Sequence, residues 1–349
     1  MAVSPAFAQG PLAPSAPAPQ GPAQAPAAPA LPGPYVPPPA APAAPVDPLP
    51  AANPKMFTAT SPSLDTVNSF LHQVWGYDPN RLWRVMAILP TPAPGVTKVV
   101  VFVTDKSPDA KIQQAIFFVT PDGQHAIGDG AAFVNFGATP FAQARDLLKE
   151  KADGAYRGAA SKDFELVEFA DLQCPVCKQA QDTVDQIVKD FPNAHVVFQL
   201  LPLVDIHTSA YKAASYGVCA QKQGNDAFFK FASGVFDTQE GLTPATDDTV
   251  LKAAAKRAGL DSEALAACAN TQAAKDAVNA DMKLAEDVGV AQTPTLSVNG
   301  RMLPLVGINY DTLKRIIQFQ ATLDGVNSGA TAETLAPKPP QPTLQTLPK

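Results

Sequence analysis

Apolar positions along this chain recur first at helical spacing, then in alternation, then in solid runs, and that succession predicts the architecture. In "SPSLDTVNSFLHQVW" the residues Leu64, Val67, Phe70, Leu71 and Val74 share one helical face, with Ser61 as N-cap and Pro62 at the first helical position. Three strand-like runs follow, "LWRVMAIL", "TKVVVFVTD" and "QQAIFFVTPDGQHAIGDG", the last turning at Asp122-Gly123. "TPFAQARDLLKEKADGAY" then reads as a connecting helix. A helix followed by a small sheet predicts an α+β module without a catalytic constellation of its own.

From Asp163 the pattern changes. "FELVEFA" is a short apolar strand, an amphipathic helix opens at Pro175, and "AHVVFQLLPL" is a second strand, which together predict a right-handed β-α-β unit and a parallel sheet. The chain is helical in five segments from His207 to Val288, with Gly289 as a stop. "TPTLSVNGRMLPL" predicts two strands around an Asn299-Gly300 turn, and a helix from Tyr310 to about Ala321 closes the segment. The order β-α-β, helical insertion, β-β-α is that of a thioredoxin fold with helices inserted in its middle.

Composition limits how much of the 349 residues folds, because 18 of the 37 prolines lie before residue 56, in Ala/Pro runs with no hydrophobic period. Such runs bury no core and predict an extended spacer. The expected organisation is a disordered Ala/Pro-rich leader over 1–57, a small α+β domain with its linker helix over 58–156, a thioredoxin-like domain over 157–325 with the insertion at about 207–288, and a disordered tail over 326–349. The fold class is α/β. The opening "MAVSPAFA" ends in Ala6-Phe7-Ala8, the small-x-small pattern of a signal-peptidase site, without the basic and apolar parts of a signal. It reads either as an exported protein's start placed too late or as more spacer. The net charge of −6, with no Lys/Arg cluster, argues against nucleic acid as a partner, and no apolar run is long enough to span a membrane.

"ADLQCPVCKQAQDTVDQIV" carries the candidate chemistry. Cys174 and Cys177 stand two residues apart at the mouth of a helix that follows a buried strand. Zinc would need a second such pair, which Cys219, Cys268 and His207 do not form, and a purely structural disulfide is the remaining alternative. The redox reading has a mechanism: an N-cap cysteine meets unpaired N–H groups and the positive end of the helix dipole, so its thiolate is stabilised. Pro175 then costs no hydrogen bond at the first helical position, and Val176 adds neither charge nor donor. Cys174 would attack and Cys177, one turn on and deeper, would resolve. Cys219 and Cys268 stand on separate helices of the insertion and form a structural disulfide if they face each other, or two buried thiols if they do not. An even number of cysteines fits an oxidising compartment.

Through "FADLQCPVC", "HTSAYKAASYGVCAQKQG" and "GVAQTPTLSVNGR" the chain resembles the extracytoplasmic Dsb thiol-disulfide oxidoreductases, over roughly Phe57 to Leu323. The resemblance implies a cis Pro294 facing the cysteines, with Thr293 before it offering backbone to a substrate strand, so that Thr293, Pro294, Pro175 and Val176 are the substrate-facing residues. It implies that Glu168 is the buried acid beneath the pair, taking the resolving thiol's proton directly or through water. It implies no cofactor beyond the redox-active disulfide and no metal, with unfolded or misoxidised exported proteins as partners and a membrane or soluble redox partner to recharge it. Thr293 and the N-terminal module are similar to the dimeric isomerases DsbC and DsbG, which implies a homodimer through that module, although the prolines between Ala87 and Lys98 argue against strands there. The insertion and the Cys219/Cys268 spacing are similar to monomeric DsbA-type oxidases. Outside enzymes, the competing reading is a chaperone-like or partner-binding module.

Overall fold

The computed structural model describes residues 47–107, 109–128 and 133–331. The signal-peptidase reading, most of the expected leader and most of the expected tail lie outside the described residues. Where leader and tail are described they depart from the expectation of disorder. Leu49 is buried, Pro54–Met56 form a 3-10 turn capped by Asn53, and Phe57 bridges to Ile88. At the other end Ser328 is buried and its carbonyl accepts from the Asn193 N–H. A composition window averages away the few apolar residues, such as Leu49 and Val326, that anchor a spacer where it joins a core.

The described residues from Pro48 form one compact unit holding two five-stranded sheets. The first sheet is antiparallel in chain order: β1 (Arg81–Pro90), β2 (Thr97–Asp105), β3 (Gln113–Val119), β4 (His125–Ile127) and β5 (Phe133–Asn135). Strands therefore do form around the proline-rich Ala87–Lys98 stretch. Pro90 ends the edge strand β1, opposite Thr97, and Pro92 and Pro94 fall in the turn, where no ladder hydrogen bond is lost. Helix α1 (Leu64–Trp75) covers this sheet with Val67, Phe70 and Leu71. Its cap is Ser63, whose hydroxyl accepts from the Thr66 N–H, two residues later than the sequence suggests. Both serines carry the capping group. Ser61 is instead followed by a cis bond to Pro62, and its carbonyl accepts from the Thr97 hydroxyl.

Helix α2 (Ala142–Lys151) leads into the second sheet, whose strands are β6 (Ala155–Gly158), β7 (Phe164–Ala170), β8 (Ala194–Leu200), β9 (Thr295–Val298) and β10 (Arg301–Pro304) in the order β10-β9-β7-β8-β6. β7 and β8 are parallel across α3 (Pro175–Asp190), and the other pairs are antiparallel. This is the thioredoxin arrangement. β6 lies across the expected 156/157 division and pairs with β8, so the second sheet starts at Ala155.

Every residue of β7 and β8 is buried, because α3 and α9 (Tyr310–Leu323) cover one face while α2 and α8 (Gln272–Asp287) cover the other. That double cover takes Glu168 out of water. Helices α4 (Ala210–Gln221), α5 (Asn225–Thr238), α6 (Asp247–Arg257) and α7 (Ser262–Ala269) complete the insertion, and their core is continuous with Leu172, Cys174 and Cys177.

The turn between β9 and β10 fixes the two sheets together. Asn299 and Gly300 have φ of 50° and 93°, and a Cβ on Gly300 would collide with the Phe141 carbonyl and the Arg145 N–H at the start of α2. Arg301 follows, donating to the carbonyls of Gln73 and Val74 at 3.1 and 2.9 Å, with the rings of Tyr77 and Phe141 at 5.1 and 5.6 Å. A cation at the C-terminal end of α1 satisfies carbonyls the helix leaves open.

Candidate active site

Cys174 is the N-cap of α3 in extended conformation, and Pro175 occupies the first helical position as expected. Its N–H donates to the Asp171 carbonyl at 3.1 Å, so the loop "DLQC" is a closed turn delivering the sulfur to the helix mouth. The cysteines are free thiols, both buried, with Cys177 fully so.

Their surroundings push the two thiols apart. Cys174 is pulled down to about 5, first by the Cys177 thiol as hydrogen-bond donor and then by the N–H groups of Cys177 and Val176, against the effect of burial. Burial, reinforced by Cys174, pushes Cys177 far up. In the reduced pair these shifts favour a thiolate at Cys174 and a thiol at Cys177 at neutral pH.

Thr293 and Pro294 come to the cysteines from the far end of the insertion. The peptide bond between them is cis, and Cys174 Sγ lies 4.0 Å from the Thr293 carbonyl. The Thr293 hydroxyl is buried without a hydrogen-bond partner, and its proximity pulls both thiols down. Pro175 and Val176 are exposed at the rim.

Glu168 is fully buried on β7, between Phe198 of β8 and Leu296 of β9. Burial pushes its carboxyl up, and Arg157 and Gln181 partly pull it back. Gln181 Nε2 donates to Glu168 Oε1 at 2.7 Å and to the Cys177 carbonyl at 3.0 Å, so one amide joins the acid to Cys177. Cys219 and Cys268, on α4 and α7, are bonded with a Cα separation of 6.0 Å. Among the described residues no cluster of three or more His, Cys, Asp or Glu is placed to hold a metal.

Four participating residues escape the sequence reading. Asp171, buried, donates its N–H to Cys177 Sγ at 3.4 Å, while its carboxylate accepts from the N–H groups of Gln173 and Leu203 and bonds His207 Nδ1 at 2.7 Å. That gives His207 a loop-fixing role. Gln173 ties the turn to the insertion through the Ser209 N–H and the Leu242 carbonyl. Arg157 is hidden in a four-residue strand whose first two residues read as the end of the connecting helix. Gln181 had a usable signal, because residues 177, 181 and 185 share one face of α3 by four-residue spacing.

Residues 150–319 match the family model described as Thioredoxin. Among curated proteins, the Na(+)/H(+) antiporter NhaA 3 of Salinispora tropica is 32% identical over 145 residues, which are 42% of this chain and 21% of that protein. The chain thus spans about a fifth of the length of that relative. A Bacillus anthracis protein described as "Probable disulfide bond formation protein D" is 25% identical over 167 residues, 46% of this chain and 75% of that one. Among solved structures, the catalytic domain of Proteus mirabilis ScsC is 23% identical with a TM-score of 0.44, covering 52% of this chain and 99% of that one. Oxidised BdbD from Bacillus subtilis is 23% identical with a TM-score of 0.44, covering 50% of this chain and 95% of that one. Residues 150–319 are thus similar to the thioredoxin family, and this part of the chain is similar to a protein described as a probable disulfide bond formation protein.

Proposed function

We propose that this protein transfers disulfides to exported proteins outside the cytoplasm, with Cys174 as the attacking and exchanging sulfur and Cys177 as its internal partner. The observation that carries the reading is the Cys174 thiol, drawn down to about 5 at the helix mouth opposite the cis Thr293-Pro294 bond. A stabilised thiolate favours the reduced pair, and a pair that prefers to be reduced is an oxidant. Donation is therefore the favoured direction, ahead of isomerisation.

In the donating cycle a substrate thiolate attacks Cys174 of the Cys174–Cys177 disulfide, and Cys177 leaves and takes a proton. A second substrate thiolate then attacks the mixed disulfide, so the substrate loses two electrons and the pair becomes a dithiol. A redox partner in the same compartment returns the pair to the disulfide. Glu168 supplies and removes the Cys177 proton, while the Thr293 backbone and the rim residues Pro175 and Val176 meet the substrate. Val176, Val204, Ile206 and Val306 are exposed, and their loops are tied to the site through Asp171 and Pro294. Such apolar surface suits an unfolded chain. The Cys219–Cys268 bond supports an oxidising compartment.

The test sets reduced ribonuclease beside scrambled ribonuclease, with wild type and Cys174→Ser, and measures oligomeric state on the same samples. A donor oxidises the reduced enzyme only when Cys174 is present. Reshuffling of the scrambled enzyme by a dimer would replace donation with isomerisation. Refolding unchanged by Cys174→Ser would leave a chaperone-like module instead.

A further inference from the structure

Glu168 has one donor on each carboxylate oxygen, and both donors lead outward. Gln181 Nε2 holds Oε1 at 2.7 Å and Arg157 Nη2 holds Oε2 at 3.2 Å. The same Arg157 nitrogen donates to Gln181 Oε1 at 2.6 Å, while Nη1 donates to Asp185 Oδ1 at 2.6 Å. The guanidinium lies 4.7 Å from the centre of the Phe229 ring of α5. Outside it opens a cleft of about 510 Å³ lined by Arg157, Gln181, Lys178, Asp185 and Phe229 among others. A contact chain thus runs from the Cys177 carbonyl, through an amide and a guanidinium, to a cleft at the surface.

We propose that Arg157 and Gln181 are positioning residues that hold Glu168 ready to exchange a proton with Cys177. The proposal rests on the reading of Cys174 and Cys177 as an exchanging pair. In the closing step the Cys177 proton passes to the Glu168 carboxylate and the sulfur's electron pair attacks Cys174 Sγ. The Cys174–substrate bond then breaks, the substrate leaves as a thiolate, and the new Cys174–Cys177 bond oxidises the pair. In the opposite direction Cys177 leaves as a thiolate and recovers the proton. Arg157 touches neither sulfur.

The electrostatics agree with the geometry. An ionised carboxylate with no countercharge would not survive at zero exposure, and Arg157 is the cation in contact with it. Arg157 and Gln181 pull the Glu168 carboxyl down against burial, and Asp185 pushes it up. Phe198 and Leu296 flank it on the neighbouring strands without charge. At the cleft rim Lys178 and Asp237 pair with each other at 3.8 Å.

The aromatic disulfide dithionitrobenzoate separates the steps on the full-length reduced protein. It releases one coloured thiolate when Cys174 attacks and a second when Cys177 closes the ring, so stopped-flow traces against pH give both profiles. Arg157→Met is expected to move the second-phase profile upward by about one pKa unit, roughly tenfold slower closure on its acid side, and to leave the first phase in place. Arg157→Lys restores part of the shift. Asp185→Asn, a surface change, moves the second phase the other way. Second phases that superimpose on wild type, or first and second phases that move together, overturn the proposal. If Arg157→Met does not fold, an unmoved Asp185→Asn profile overturns it alone. A wild type with no first phase, or a second phase that persists in Cys177→Ser, sinks the exchange reading itself.

Discussion

Cys174 and Thr293 are 119 residues apart in sequence, and the sulfur of one lies 4.0 Å from the carbonyl of the other. The five helices of the insertion, α4 to α8, fold back so that its end faces its beginning. Thr293 brings a buried hydroxyl as well as a backbone carbonyl to the site, and the hydroxyl pulls both thiols down. Thr293→Val removes it at nearly constant volume. The Cys174 midpoint, read from the ultraviolet absorbance of the thiolate, should rise from about 5 by on the order of one unit or less. An unchanged midpoint would show that the helix mouth alone sets the thiolate.

The bond between Cys219 and Cys268 closes a loop of 49 residues and joins α4 to α7. In the chain-entropy account such a loop stabilises the fold by about 4 kcal/mol. The Cys219→Ala/Cys268→Ala double variant should lose about that much in a denaturant titration and keep the alkylation rate of Cys174. A loss of Cys174 reactivity in the folded variant would mean that the bond shapes the site as well as the scaffold.

Asp281 gives a pH dependence with a defined sign. It sits buried on α8, where desolvation and then Asp153 push its carboxyl up to about 8, although Gln199 donates to it at 2.6 Å. A carboxyl raised on folding contributes stability that is complete below the unfolded value and lost as pH rises through the folded one. Wild type should therefore lose stability relative to Asp281→Asn between the usual carboxylate range and about 8. Melting curves of the two proteins that stay parallel across that window would contradict the assignment.

Periodicity made the scaffold legible. The solid apolar runs of β7 and β8, the amphipathic stripe of α3 and the Asn299-Gly300 turn each follow from local spacing, and together they order the sheet. β6 was not legible, because Ala155–Gly158 is too short for alternation and follows a good helical sequence; its strand state comes only from pairing with β8. Arg157 was lost with it. The cysteine pair was legible from its place between strand and helix. Its support by Asp171, Gln173 and Gln181 depends on contacts with segments up to 69 residues away, which spacing along one element does not reveal.

The account stands on Cys174 being the sulfur that meets substrate, with Cys177 enclosed behind it. The direct measurement is mass spectrometry of mixed disulfides formed when Cys177→Ser and Cys174→Ser are each mixed with oxidised or scrambled ribonuclease. Cys177→Ser should accumulate a covalent complex through Cys174, and Cys174→Ser should form none. Equal trapping by the two variants, or none by either, would contradict the account.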